Sequence, residues 1–229
     1  MSEAKAHAQH ACRYCGAVSG ATDANFCPAC DRIQPVVTGL DYFSFFGLPP
    51  RLGLDEARLE QDYYALSRRL HPDYFMNASD EQRQASIDRS SLLNDAYRTL
   101  RNPVTRAQYL LSIEGYKEAE KKAPPDLLEE VFELNMQIEE MKAARRSGDE
   151  AEIVEARSAL EDALAGLNRK LAELDARLAR TGEEWDASLD KPDSGGEAEG
   201  RAALNRLSEV LSHRSYIRNL VRDIKEEIL

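Results

Sequence analysis

Four cysteines stand as two Cys-x-x-Cys pairs, Cys12/Cys15 and Cys27/Cys30, separated by 11 residues. Two such knuckles can present four thiolates tetrahedrally at about 2.3 Å from Zn²⁺. Met1 to His10 has no apolar core of a secretory signal. Clustered cysteine pairs without such a signal point to a metal more than to disulfides. We expect structural zinc on Cys12, Cys15, Cys27 and Cys30. Iron in a rubredoxin-like site uses similar knuckles, and disulfides or free thiols remain as further alternatives. Gly16 after Cys15 permits a tight turn, whereas the second pair lacks that glycine, which predicts a less regular knuckle. So small a segment has little core, and metal binding would supply its folding energy. His7 and His10 read as tail residues, not as ligands.

The second constellation is His71-Pro72-Asp73. Alone the tripeptide is weak and describes any helix-breaking turn. No Ser/His/Asp order, Gly-rich phosphate loop or cluster of catalytic carboxylates accompanies it, so no active site is expected. The 229-residue chain has a net charge of -11, which opposes nucleic-acid binding and an anionic membrane surface, since both need concentrated Lys and Arg. It therefore opposes a second reading, a zinc-ribbon nucleic-acid adaptor with a coiled-coil tail. No run of 18 apolar residues suggests a membrane span, and the cytoplasm is the expected compartment.

The elements that must position these residues read as helices. Asp41 suits an N-cap before Tyr42, Phe43, Phe45 and Phe46, with Gly47 ending the helix, and Asp55 suits a second cap. Leu59, Tyr63, Leu66 and Leu70 fall on one stripe. Pro72 cannot continue that helix, and a polar loop is expected through Asn77. Ser79 with Gln82 is a capping-box start for a helix to about Arg101, carrying Ile87, Leu93, Ala96, Tyr97 and Leu100. Pro103 suits the first turn of a fourth helix, which Gly115 ends. Beyond Pro124-Pro125, Asp126 should cap a helix to about Arg146, and Ser147-Gly148-Asp149 should make a turn and a cap. A long helix, about 150–180, places Leu160, Leu164, Leu167, Leu171, Leu174 and Leu178 at alternating steps of three and four. Residues 181–198 read as a loop containing Trp185 and Asp190-Lys191-Pro192-Asp193-Ser194-Gly195-Gly196, and a last helix spans about 199–228. Three amphipathic helices with short connections make a bundle. No strand of any strength is evident.

His71-Pro72-Asp73 gains meaning from its surroundings. Asp41-Tyr42-Phe43, Gly47-Leu48 and the downstream run Leu93-Asn94-Asp95-Ala96-Tyr97-Arg98-Thr99-Leu100 sit where a J-domain has them. Arg101-Asn102-Pro103, Arg106-Ala107-Gln108-Tyr109-Leu110-Leu111 and Gly115-Tyr116 then resemble the J-domain end of the HscB family, over residues 41–229. The resemblance implies an all-α protein: a J-domain hairpin (37–116) packed in an L shape on a C-terminal three-helix bundle (117–229), preceded here by the zinc-knuckle module (1–36). Some family members carry such an N-terminal pair of Cys-x-x-Cys motifs.

It further implies a co-chaperone of iron–sulfur cluster assembly that activates a DnaK/HscA-type ATPase and brings it an IscU-like scaffold protein. The chaperone-binding residues would be His71, Pro72 and Asp73, with Arg68 and Arg69 in the last turn of the preceding helix. Asp73 could bond an arginine of the chaperone. Tyr74 stands where J-domains usually have lysine. Helix 126–146 carries more apolar residues than one buried face needs, which suggests a partner surface as well as a core. Matched to the family, the scaffold face would be Leu128, Phe132, Glu133, Met136 and Glu140, with Tyr216 on the last helix. Glu129 and Met136 depart from the family's usual apolar residue and glutamate. Self-association stays open.

Overall fold

The computed structural model of the chain describes residues 10–19, 25–116, 127–191 and 194–228. It divides into two compact units, Met1–Ile113 and Glu114–Leu229. The expected Asp126 cap, the Pro124-Pro125 break and His7 lie outside the described residues.

The first unit begins with two short strands, β1 (His10–Ala11) and β2 (Val18–Ser19), paired antiparallel. Phe26 and Ile33 form a single antiparallel bridge around the second cysteine pair. Strand-like pairing is thus present where none was evident; its segments are too short to carry an alternating pattern. Four helices follow: α1 (Tyr42–Phe45), α2 (Glu56–Leu70), α3 (Asp80–Leu100) and α4 (Pro103–Ile113). Their starts follow from local chemistry. The Asp41, Asp55 and Ser79 side chains accept hydrogen bonds from the backbone N–H groups of Ser44, Arg58 and Gln82, satisfying donors that a helix leaves unpaired in its first turn. Gly47 and Gly115 adopt positive φ, as helix-ending glycines do.

Ile33, Phe45, Leu70, Ala85, Leu93 and Ala96 form one buried cluster, flanked by Phe26, Tyr63 and Leu66. The cysteine segment therefore shares a core with α2 and α3. Ile87 departs from expectation: it is 51% exposed, on the outer side of α3. The loop after Pro72 is also more regular than expected, a 3₁₀ turn over Pro72–Phe75.

The second unit comprises α5 (Leu128–Ser147), α6 (Glu150–Leu189) and α7 (Ser194–Ile228). Gly148 takes the left-handed conformation that closes α5, and Asp149 caps α6 by accepting from the N–H groups of Ala151 and Glu152. Leu127, Leu134, Met141, Leu160, Leu167, Ile217, Val221 and Ile224 lie in one buried cluster. The boundary between α6 and α7 corrects the sequence reading. Helix α6 continues to Leu189 and α7 starts at Ser194, so Trp185 and the Gly195-Gly196 pair are helical, not loop. Thr181, Gly182, Trp185 and Ser188 are buried along α6. A Cβ on Gly200 would meet Ser188 Oγ at 2.9 Å and Trp185 Cζ3 at 3.3 Å, and one on Gly196 would meet backbone oxygens of Lys191 and Ser188 below 3 Å. These glycines permit close approach of α7 to the end of α6; in the sequence alone Gly196 reads as part of a loop.

Candidate functional site

Three places collect residues with functional potential. The first is the loop between α2 and α3. Helix α2 ends at Leu70, and His71 leaves it with extended ψ of 128°, as a residue before proline prefers. Pro72 opens the 3₁₀ turn, and His71 Nδ1 accepts the Asp73 backbone N–H at 3.3 Å. The side chains of His71 and Asp73 are 53% and 75% exposed, so the tripeptide is bent into a fixed shape while its polar groups face solvent. Behind it, Ser86 and Ser90 of α3 donate their hydroxyls to the Leu70 carbonyl at 2.6 and 2.9 Å, which satisfies an acceptor orphaned by the end of α2. These serines escaped sequence reading because nothing in their spacing signals a cap on another helix.

Arg68 and Arg69 differ. Arg68 is exposed, with its Nε on the Tyr64 carbonyl one turn back. Arg69 reaches the cysteine segment: it donates to Asp31 Oδ1 at 2.8 Å and lies over the Phe26 ring, 4.0 Å from its centroid. A further arginine, Arg89 of α3, is only 1% exposed. Its guanidinium donates to the Gln34 and Pro35 carbonyls and to Asn25 Oδ1. Arg106 of α4 is likewise buried and donates to the Leu100 and Leu52 carbonyls.

The second place is the cysteine centre. The sulfurs of Cys12, Cys15, Cys27 and Cys30 all lie within 4.8 Å of one another. Cys12–Cys30 and Cys15–Cys27 are each 3.7 Å apart. A tetrahedron with metal–sulfur bonds of about 2.3 Å has sulfur–sulfur edges of about 3.8 Å, so the set fits a four-thiolate metal site. The two knuckles superpose in their hydrogen bonds. Tyr14 and Ala29 donate their N–H groups to Cys12 Sγ and Cys27 Sγ, both at 3.4 Å. Gly16 and Asp31 donate theirs to the carbonyls of Cys12 and Cys27, both at 2.8 Å. The second knuckle is therefore as regular as the first: Asp31, at φ +52°, takes the left-handed slot that Gly16 fills at +71°.

Burial pushes the Cys12 thiol up, but bonds from the backbone of Tyr14 and Cys15 and from neighbouring thiols outweigh it and bring it down to about 6. For Cys30 the backbone bond at Arg32 lowers the value, while burial and the other three thiols push it up to about 12. Four thiolates at this separation cannot all stay ionised by themselves, and a bound cation supplies what they lack.

The third place is α5. Leu128, Phe132 and Met136, one turn apart, are exposed by 55%, 68% and 50%, while Leu134 and Met141 of the same helix are buried and Val131 and Ile138 pack against the core. Glu133 and Glu140 are exposed beside this strip. Tyr216 on α7 is half-buried and packs against the bundle core.

Comparison with known proteins adds the deciding observation. The DnaJ domain family matches residues 41–109. The chain is 35% identical to the co-chaperone protein HscB homolog of Vibrio cholerae over 156 residues, 66% of this chain and 86% of that protein. The chain belongs to the HscB co-chaperone family. The HscB homolog of Vibrio vulnificus is 38% identical over 105 residues, 44% of this chain and 61% of that protein. Among solved structures, human co-chaperone HscB matches with a TM-score of 0.61 and 26% identity, covering 95% of this chain and 98% of that one. The Vibrio cholerae HscB structure matches with a TM-score of 0.52 and 26% identity, covering 83% of this chain and all of that one.

As an HscB-family J-domain co-chaperone, the protein is a regulator of an Hsp70-type partner and not itself an enzyme. Its four-cysteine centre is a metal-binding cluster in the donor set it offers. No described helix is long and apolar enough to cross a membrane.

Proposed function

We propose that this HscB-family protein stimulates ATP hydrolysis by a DnaK/HscA-type chaperone through His71-Pro72-Asp73 and delivers to it an IscU-like scaffold protein held on α5, in support of iron–sulfur cluster assembly in the cytoplasm. The observation that carries this reading is the loop itself: a rigid turn, capped from behind by Ser86 and Ser90, that leaves an imidazole and a carboxylate in solvent. Such a loop has no substrate to transform. It acts by binding one state of its partner better than another, and the difference in affinity sets how far the partner's equilibrium moves. Asp73 suits a charge-assisted bond to a chaperone arginine. Pro72 removes loop freedom that binding would otherwise have to quench. Arg68 and Arg69 add positive charge at the end of α2, where a cation also complements the helix dipole.

On α5 the exposed Leu128, Phe132 and Met136 offer apolar anchors, with Glu133 and Glu140 as a polar rim, the composition of an interface hot spot. Tyr216 would contribute from α7. In this reading residues 1–36, 37–116 and 117–229 serve as metal module, chaperone-docking domain and scaffold-binding bundle. Cys12, Cys15, Cys27 and Cys30 would hold zinc, which supplies a structural cross-link between the two knuckles.

Steady-state ATP hydrolysis by the cognate chaperone tests the proposal. Wild-type protein should accelerate it, more so with scaffold present. His71→Gln should abolish the acceleration while leaving helical circular dichroism and scaffold binding unchanged. Acceleration that ignores the scaffold would reduce the function to that of a general J-protein, and none at all with the wild type would overturn it. Metal analysis of the purified protein should find zinc; a ferric visible spectrum would replace it with iron.

A further inference from the structure

The cysteine centre sends two arms to the hairpin that carries His71-Pro72-Asp73. The first runs through Gln34. Its side-chain amide donates to Cys12 Sγ at 3.5 Å, and its carbonyl accepts from Arg89 of α3. The second runs through Asp31, the residue directly after Cys30, to Arg69 in the last turn of α2. Arg69 is two residues before His71.

Asp31 is the informative residue. Among the described residues it is the one non-glycine with positive φ. The equivalent position in the first knuckle is Gly16, at nearly the same φ and with the same backbone hydrogen bond. Glycine is the residue this slot favours; aspartate and asparagine tolerate it better than other side chains, but at a cost in backbone strain. Knuckle geometry does not ask for a carboxylate. What the carboxylate does is hold Arg69, whose guanidinium is also seated on the ring of Phe26, a neighbour of the second knuckle. The strain is thus retained alongside a contact to α2 that glycine could not make.

We propose that Asp31 is a positioning residue for chaperone docking: it holds Arg69 at the end of α2 in the orientation the partner meets, and so makes the metal module a brace on the docking surface. This rests on the docking role assigned above to Arg69 and His71-Pro72-Asp73. Both members of the pair are well exposed, at 53% and 82% of their side chains. An exposed pair couples weakly, so the brace tunes affinity by a small factor and is not an on–off switch.

Asp31→Gly is the sharp test, because it restores the residue the turn favours and removes only the carboxylate. Metal content should stay at the wild-type level. The concentration of the protein needed for half-maximal ATPase stimulation should rise about three- to fivefold, with the maximal stimulation unchanged. Arg69→Ala should raise it at least as far, and Asp31→Gly on top of it should add nothing. Amide hydrogen exchange over Ser67–Leu70 should quicken in Asp31→Gly and in metal-stripped protein, a readout independent of ATPase. Asp31→Asn, which tolerates left-handed backbone and lacks the charge, should behave as the glycine variant does. A wild-type half-maximal concentration in Asp31→Gly, or effects of Asp31→Gly and Arg69→Ala that simply multiply, would overturn the brace. His71→Gln run in parallel separates the two ideas. If it keeps full stimulation, the docking reading itself has failed. If it loses stimulation while Asp31→Gly matches wild type, the brace alone has failed.

Discussion

The two units of this protein support the surfaces proposed above for docking by different means. In the first unit the buried set includes two arginines, Arg89 and Arg106, and a serine, Ser86. Each is bonded to backbone carbonyls of a neighbouring segment. In the second unit the cluster beneath α5 is leucine, isoleucine, valine, methionine and alanine throughout. The difference follows from what each unit presents. The short loop seats only one side chain, Phe75, against the core, so directional bonds to the chain ends around it must carry much of its shape. Buried polar groups of this kind specify geometry because each unmade bond is costly. A strip of apolar side chains on a twenty-residue helix needs no such ties. The helix is held by burial along one side, and the other side is free to carry Leu128, Phe132 and Met136.

The sharpest way to break this comparison is to truncate neighbours on α5. Leu134→Ala removes a fully packed side chain and should cost about 2–5 kcal/mol of stability, read by urea unfolding. Phe132→Ala, two residues away, should change stability by less than about 0.5 kcal/mol. It should weaken binding of an IscU-like scaffold by about 2 kcal/mol, or roughly thirtyfold, as interface anchors do. A stability loss like that of Leu134→Ala with unchanged scaffold affinity would assign Phe132 to the core and leave the second unit without its working surface.

A smaller effect separates the units by pH. Metal binding needs four thiolates, and when no metal is bound, burial and the other three thiols outweigh the backbone bond at Arg32 and push the Cys30 thiol up to about 12. A metal entering at neutral pH must therefore displace at least the Cys30 proton. Protons compete with the metal, so affinity rises with pH and falls as pH drops, by about tenfold per unit for each proton displaced. Competition with a chromogenic zinc chelator between pH 6 and 8 measures this slope. Acid or chelator should loosen α2 and α3, while helix content from α5, α6 and α7 stays constant. A slope of zero would mean that the ligands are already ionised without metal.

How much of this was legible beforehand follows the same division. Caps at Asp41, Asp55, Ser79 and Asp149 are local devices whose donor and acceptor sit within three residues, so the sequence carries them openly. The leucine ladder of α6 is legible for the same reason, being a period within one element. What stayed hidden depends on a second segment. Gly196 reads as part of a loop because only the approach of the end of α6 explains it. Ile87 falls among the apolar residues of α3 yet faces outward, since the sequence cannot say which arc of a helix meets a neighbour. Arg89, Ser86 and Ser90 act on residues 16 to 64 positions away. Asp31 is the subtlest case: without a glycine its knuckle reads as irregular, and the partner of the aspartate is an arginine 38 residues on.

The smallest predicted effect tests whether polar ties really set the docking loop. Ser86→Ala deletes one of two hydroxyls on the Leu70 carbonyl and leaves Ser90 in place. Because the acceptor keeps one donor, the cost should fall near the low end for a buried hydrogen bond, about 1 kcal/mol. The double change Ser86→Ala, Ser90→Ala strands the carbonyl and should cost more than the sum of the two single changes, since only then is a buried acceptor left unmet. Chaperone stimulation should fall in step, because Leu70 is the last residue of α2 before His71. Strict additivity of the two serines, with stimulation untouched, would mean that the loop keeps its shape through Pro72, the His71–Asp73 bond and the packing of Phe75, and that the polar ties beneath it serve only the hairpin.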